Sequence, residues 1–315
     1  YIHTYIHTYR TMYERINRLA NGLEKLGVKH GDTVCIFEFD SHRYLECFFA
    51  VPMMGAVMHT MMNWRLSPEQ ILYTMNHAED DVILINPEFL PLLEAIWDKL
   101  ETVKKVIVLT DEEKIPETKI KIDIEYEEML REASPDYDFP DFDENTRATL
   151  FYTTGTTGLP KGVYFSHRQL MLHCMSEAMS IGCYESPGRF RSNDVYMPLT
   201  PMFHVHAWGI PWLATLLGVK QVYPGKYEPE MLLKLILGEK VTLSHCVPTI
   251  IHMLVSSPVA KKVDLSNWKV IIGGGALPKG LAKAAMETWY RNIRSIRDVG
   301  DMPRRNHSKS QTAHA

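Results

Sequence analysis

Tyr152-Thr-Thr-Gly-Thr-Thr-Gly-Leu-Pro-Lys-Gly-Val163 sets a hydroxyl-rich glycine stretch with one lysine between the apolar run Ala148–Tyr152 and a helix that Ser166 can cap. Polyphosphate oxygens require donors and positive charge. Gly155 and Gly158 can turn backbone N–H groups toward an anion, Thr153, Thr154, Thr156 and Thr157 add hydroxyls, and Lys161 adds a cation. The GTPase type of phosphate loop is excluded, because it needs Gly-Lys-Ser/Thr opening a helix, whereas here Pro160 precedes Lys161 and Gly162 follows it. The segment from Thr153 to Lys161 is therefore expected as an exposed, phosphate-binding loop between a strand and a helix.

Outward from this loop, helical periodicity alternates with short apolar runs. Tyr9, Met12, Tyr13, Ile16, Leu19, Ala20, Leu23 and Leu26 recur every three or four residues, which predicts a helix from about Tyr9 that Gly27 stops. Ser41 can cap the next helix, and Ser67-Pro-Glu-Gln70 is a capping box with proline at the first helical position. The runs 34–37, 82–85, 106–109, 148–152, 241–244 and 270–272 read as strands, with helices after Pro248 and from about Lys279. This order predicts an α/β fold of mainly parallel sheets covered by helices.

Residues 195–219 carry no formal charge and are long enough to cross a bilayer, yet Pro198, Pro201, Pro211, His204 and His206 suit a lipid-exposed helix poorly. They read as buried strand, loop and helix. An acidic, proline-containing stretch between Asp111 and Arg147 reads as a solvated link. The expected organisation is a duplicated irregular start over 1–8 (Tyr1-Ile-His-Thr4, then Tyr5-Ile-His-Thr8), α/β parts over 9–147 and 148–289, and a disordered tail over 290–315.

Of 315 residues 45% are hydrophobic, enough for a substantial core, and the net charge of -4 supplies no basic field for a nucleic-acid backbone. Nucleic acid is not an expected partner. Cys35, Cys47, Cys174, Cys183 and Cys246 lie far apart without metal-ligand spacing, so they read as buried thiols of a reducing compartment, and no metal ligand is assigned. With no secretory pattern at Tyr1–Arg10, the expected location is cytoplasmic.

The threonine-glycine loop resembles the signature loop of the acyl-adenylate-forming superfamily, which includes acyl-CoA synthetases. Tyr13-Glu-Arg-Ile-Asn-Arg-Leu-Ala-Asn-Gly-Leu23, Leu26-Gly-Val-Lys-His-Gly-Asp-Thr-Val34, Gly55-Ala-Val57 and Asn63-Trp-Arg-Leu66 are similar to successive N-terminal landmarks of AMP-forming acyl-CoA ligases. The resemblance runs from about Thr8 to about Trp289. It implies the large N-terminal domain of that fold, present incompletely, and a reaction in which ATP and a carboxylic acid give acyl-AMP and pyrophosphate before CoA takes the acyl group. ATP, Mg2+ and CoA are the implied cofactors and co-substrates, with a homodimer allowed.

Residue by residue, the resemblance implies that Thr153, Thr154, Gly155, Thr156, Thr157 and Gly158 hold phosphates while Lys161 neutralises the β/γ end. Met197-Pro-Leu-Thr-Pro-Met-Phe-His-Val-His-Ala-Trp-Gly209 resembles the motif bordering the acyl pocket, in a form closest to medium-chain fatty acyl-CoA ligases. A histidine among aromatic side chains can orient a carboxylate while its neighbours receive an apolar chain. His204 is the candidate for that role and His206 the alternative, with Phe203, Trp208 and Gly209 lining the pocket. A structural pair of histidines is the competing reading. Val270-Ile-Ile-Gly-Gly-Gly-Ala-Leu-Pro278 is a strand ending in glycines, where the family places adenine, which makes Gly273, Gly274, Gly275 and Ala276 nucleotide-binding candidates. Cys183 and the remaining methionines read as core.

Beyond about Trp289 the sequence becomes basic and loses apolar periodicity, and Gly300-Asp-Met-Pro-Arg-Arg-Asn306, with the third base of each codon read together with the first two of the next, permits Gly-Tyr-Ala-x-Thr-Glu, resembling the family's Gly-Tyr-Gly-x-Thr-Glu motif. A frameshift is the expected cause. No position then matches the family's metal-binding glutamate, ribose-binding aspartate or C-terminal catalytic lysine. The expected function is a fatty acyl-CoA ligase lineage with weak or no turnover in this chain, the alternative being a non-catalytic fragment that binds nucleotide or acyl chain.

Overall fold

The structure is a computed structural model that describes residues 5–61, 66–112, 114–153 and 158–289. The landmark at Asn63, the duplicated Tyr1–Thr4 and the tail over 290–315 lie outside the described residues.

Thr8 opens α1 (Tyr9–Lys25) by accepting the Thr11 N–H on its side chain, and Met12, Ile16, Leu19, Ala20 and Leu23 turn inward. Gly27, at φ +98°, ends it in a conformation that L side chains rarely adopt. The chain continues through β1 (Thr33–Phe37), α2 (His42–Met53), β2 (Val57–Thr60), α3 (Pro68–Ala78), β3 (Asp80–Ile85), α4 (Leu90–Glu94), β4 (Lys105–Val108), β5 (Ile124–Glu125) and α5 (Tyr126–Glu132). Both expected caps are present: Ser41 accepts from Tyr44 N–H, and Ser67 with Gln70 forms a reciprocal capping box.

β6 (Arg147–Thr153) and β7 (Lys161–Ser166) complete a seven-stranded sheet of order β5-β4-β3-β1-β2-β6-β7. Every pair is parallel except β6–β7. All five residues of β1 are buried, as expected of a strand covered on both faces. After α6 (His167–Glu177), β8 (Val195–Leu199), α7 (Ile210–Leu216), β9 (Lys220–Gln221), α8 (Pro229–Gly238), β10 (Leu243–Cys246), α9 (Pro248–Val255), β11 (Lys269–Ile272) and α10 (Lys279–Trp289) build a second, parallel sheet of order β11-β10-β8-β9. Asp40, just past β1, joins the two sheets by accepting hydrogen bonds from Met202 N–H at 2.8 Å and the Tyr227 hydroxyl at 2.6 Å.

Four expectations need correction. Sheet membership changes after Ser166 and not at the acidic link, because β6 pairs with β2 and brings the phosphate-loop hairpin into the first sheet. The link is itself partly structured: α5 buries Tyr126, Met129 and Leu130, and Glu127 takes hydrogen bonds from Arg15 and Arg43. Glu127 is charge-paired within the fold, while Glu112, Glu117, Glu128, Asp136, Asp138 and Asp141 are exposed, as expected of a solvated connection. Cys183 is exposed. Met171, Met175 and Met179 are exposed as well, on α6 and the π-helical turn Ala178–Cys183 that continues it.

Candidate active site

Parallel sheets present their ligand-binding loops at the C-terminal ends of their strands. The three sequence constellations all sit there. Thr153 ends β6, the His-aromatic motif follows β8, and the glycines follow β11, with β10 between the last two.

The threonine loop joins two antiparallel strands and not a strand and a helix, since Thr153 pairs with Lys161 and Tyr152 with Gly162. The three apolar residues Val163–Phe165 were the available signal for β7, but six residues are too few for a periodicity to stand out. Ser166 then caps α6 through a reciprocal capping box with Gln169. Gly158 has φ +119°, which its lack of a side chain permits. Lys161 is exposed and has no ion-pair partner among the described residues, leaving a cation open to solvent beside the loop. Thr154, Gly155, Thr156 and Thr157 lie outside the described residues.

The motif after β8 departs most from ordinary backbone. Val205, His206, Ala207 and Trp208 have φ of 49°, 54°, 49° and 58°, and Gly209 follows at 79°, so one left-handed turn links β8 to α7. Each non-glycine residue there costs about 1–2 kcal/mol relative to a right-handed conformation, so surrounding contacts must hold the turn. Thr60 donates to Phe203 O at 3.1 Å, and His173 of α6 meets Trp208 O at 2.9 Å through Nε2. Trp208 lies against the β11 end: a Cβ on Gly273 would fall 2.8 Å from its ring edge, so only glycine fits. Its ring also stands 4.9 Å from His245 of β10, centroid to centroid.

The two motif histidines separate sharply. His204 is exposed at the entrance of the turn, whereas His206 is buried among the rings of Phe48, Phe151, Phe165 and Trp212 with neither ring nitrogen bonded. Burial, helped by the nearby His173, pushes His206 down to about 3 and keeps it neutral. Phe151 lies two residues before Thr153, so the aromatic cage joins the phosphate hairpin to the motif. At the β11 end Gly274, at φ +73°, Gly275 and Ala276 are exposed, a flat backbone edge without bulky side chains.

Several neighbours were not singled out from sequence. His245, neutral through burial at about 3, bonds the Tyr196 hydroxyl at 2.7 Å through Nε2 and Thr200 at 3.1 Å through Nδ1, bracing the start of the motif. His173 is raised to about 9, chiefly by its hydrogen bond to Glu177 and against the effect of burial.

Cys35, His59 and Asp80 converge inside the first sheet. His59 Nδ1 lies 2.8 and 2.9 Å from the two Asp80 oxygens, closer than the ~3.4 Å between two ligands of a tetrahedral ion with bonds of about 2.1 Å. The group is a hydrogen-bonded pair with a thiol beside it. A depression at the opposite strand ends is lined by Asp32, Glu79, Asp81 and Glu101 with Lys104 as its only cation, a charge balance unsuited to phosphate.

The family described as AMP-binding enzyme matches residues 2–297. Among curated proteins, the chain is 44% identical over 276 residues to a long-chain-fatty-acid–CoA ligase of Thermus thermophilus, covering 87% of this chain and 48% of that protein. It is 36% identical over 271 residues to a medium-chain-fatty-acid–CoA ligase of Ectopseudomonas oleovorans, covering 85% of this chain and 48% of that protein. The chain thus spans about half the length of these relatives. Among solved structures, an anthranilate CoA ligase in complex with anthranoyl-AMP superposes with a TM-score of 0.75 at 22% identity, over 90% of this chain and 53% of that one, and so shares the fold. No helix among the described residues is long and apolar enough to cross a membrane.

Proposed function

Because the chain belongs to the AMP-binding enzyme family, we propose that it carries the adenylate-forming site of a fatty acyl-CoA ligase: fatty acid and ATP give acyl-AMP and pyrophosphate, and CoA then gives acyl-CoA and AMP. The observation that carries this reading is the packing of Trp208, from the acyl motif, on Gly273, from the nucleotide strand end. On this reading the acid pocket lies beside the adenine edge.

Joining a carboxylate to an α-phosphate brings two anions together, which is unfavourable unless donors and cations screen them. The exposed Lys161 ammonium meets the β/γ end and stabilises departing pyrophosphate, while Thr153, Thr154, Thr156, Thr157 and the backbone of Gly155 and Gly158 hold phosphate oxygens. His204, exposed at the turn, orients the acid carboxylate, and Phe203, Trp208 and Gly209 border its chain. Gly274, Gly275 and Ala276 accept the flat adenine against bare backbone. Mg2+ would supply further charge screening on the phosphates, and no residue of this chain is assigned to it. The curated fatty-acid–CoA ligases support the acid class; the second reading is a protein that binds nucleotide or acyl chain without turnover.

The test is AMP and pyrophosphate release with ATP, Mg2+, CoA and a fatty-acid series, from the 315-residue chain and from the same chain extended to the relatives' length. Turnover from the extended form with little from the 315-residue chain is the expected result. Lys161→Ala in the extended form slows adenylation more than it weakens acid affinity, because the lysine meets phosphate and not the acyl chain. Silence from a folded extended form overturns the fatty-acid assignment.

A further inference from the structure

The left-handed turn needs a restraint, and α6 supplies one. This helix starts directly after β7, the strand that begins at Lys161, so it joins the phosphate hairpin to the acyl motif without a flexible linker. From its middle, the His173 Nε2–H reaches Trp208 O at 2.9 Å, and the same nitrogen lies 3.2 Å from Glu177 Oε1 one turn on. The other carboxylate oxygen of Glu177 is buried without a hydrogen-bond partner. It lies 3.3 Å from where a Cβ on Gly209 would sit, and the His173 ring lies 2.7 Å from that point. The His173–Glu177 pair therefore wedges against a backbone position that excludes a side chain, while holding the carbonyl of the last non-glycine residue of the turn. The peptide that a right-handed path would rotate is the one held.

Resting on the acyl-pocket reading above, we propose that His173, oriented by Glu177, is a positioning residue that locks the left-handed turn and thereby keeps Trp208 seated on Gly273. The charge environment supports it. Glu177 on the same helix holds the imidazole protonated, His206 facing it from the turn is neutral, and α7, packed against α6, carries no ionisable side chain. The Nε2 proton that binds the carbonyl is present at neutral pH.

Indole 1H–15N spectra of the 315-residue chain, with Trp208 assigned by Trp208→Phe, read the lock without any ligand. His173→Ala moves the Trp208 signal and leaves the other tryptophans in place. His173→Gln, whose amide N–H can reach the same carbonyl, returns it, and Glu177→Gln, which keeps the ring but loosens its orientation, moves it part of the way. Titration with decanoyl sulfamoyl adenosine reads the consequence: affinity falls about tenfold in His173→Ala and recovers in His173→Gln, the loss expected for one charge-assisted hydrogen bond. An unmoved Trp208 signal in His173→Ala refutes the lock, and if that variant does not fold, an unmoved signal in Glu177→Gln does so. Movement that His173→Gln fails to reverse also refutes it, because ring packing and not the N–H would then be responsible. If the signals behave as expected but the wild-type chain does not bind the adenylate mimic, the lock stands and the ligase reading falls.

Discussion

The corner formed by α1, α2 and α5 and the edge formed by β6, β7, α6 and the left-handed turn are built from similar residue types and end in opposite states. In the corner a network of mostly buried and half-buried charges is paired: Arg15 bonds Glu46 at 2.6 Å and Glu127 at 2.8 Å, Arg43 bonds Glu127 at 2.9 Å and Asp111 at 2.7 Å, and the Tyr126 hydroxyl donates to Glu46. Burial opposes the charge on Glu127, but His42 3.8 Å away and the hydrogen-bonded Arg15 hold its carboxyl well below the usual carboxylate range. At the edge, His206 and one Glu177 oxygen are buried without partners, four consecutive non-glycine residues hold positive φ, and Met171, Met175 and Met179 face solvent. Backbone strain gathers on the side that carries the candidate site, as expected where local order is sacrificed to chemistry, whereas buried polar atoms without partners occur in both regions, Asn17 Oδ1 and the Tyr44 hydroxyl among them in the corner.

The largest break in this contrast comes from the corner. Arg15→Ala strips the principal partner from Glu46, whose side chain is 2% exposed, and should cost about 3–5 kcal/mol in urea unfolding, because it leaves a buried charge short of compensation. Arg168→Ala removes an exposed ion pair with Glu144 and should stay within about 0.5 kcal/mol. Equal losses from the two would erase the distinction between the regions.

Asp40 spans the regions and makes a pH-dependent case. Burial raises its carboxyl to about 7 against hydrogen bonds from Met202 and Tyr227 that pull the other way, while the unfolded chain titrates near 3.8. The native state therefore holds the extra proton between roughly pH 4 and 7, so this group's contribution is present below about 4 and is lost as pH rises through 7. Asp40→Asn should flatten that part of the stability profile and narrow the difference between pH 5 and pH 8 by about 2 kcal/mol. Glu38, raised to about 7 by burial as well, remains in both proteins and cancels in the comparison. An unchanged profile in Asp40→Asn would refute the assignment.

Smaller effects belong to the edge. Gly273→Ala forces a methyl to within 2.8 Å of the Trp208 ring and should cost roughly 1–2 kcal/mol by thermal unfolding, with a change in Trp208 fluorescence that Gly280→Ala, in open space, does not share. Met175→Gln, on the exposed face of α6, should change stability by less than about 0.5 kcal/mol. A large loss there would mean that the face is packed.

What the sequence made legible was local. The capping box at Ser67 and the cap at Ser166 each need only four adjacent residues, and both are present. The glycines after β11 read as room for adenine, and the packing of Trp208 on Gly273 is not foreseen from them. Likewise, Val205-His-Ala-Trp208 contains none of the glycine or asparagine that favours left-handed backbone, so its turn depends on contacts from Thr60 and His173, which lie 143 and 35 residues from the groups they hold. β7 escaped because a short strand before a strong helix cap is read as the approach to the helix. The part Glu127 takes in the fold was hidden because composition does not show that Arg15 and Arg43, in distant helices, wait for it.

The most direct measurement of whether the phosphate hairpin and the acyl motif form one site is calorimetric titration of decanoyl sulfamoyl adenosine into the 315-residue chain, repeated with saturating ATP and with saturating decanoate. One saturable site that either ligand competes away is the predicted result, because the mimic must occupy the glycine edge and the Trp208 pocket together. Failure of the folded chain to bind it, or competition by only one of the two ligands, would contradict a shared site.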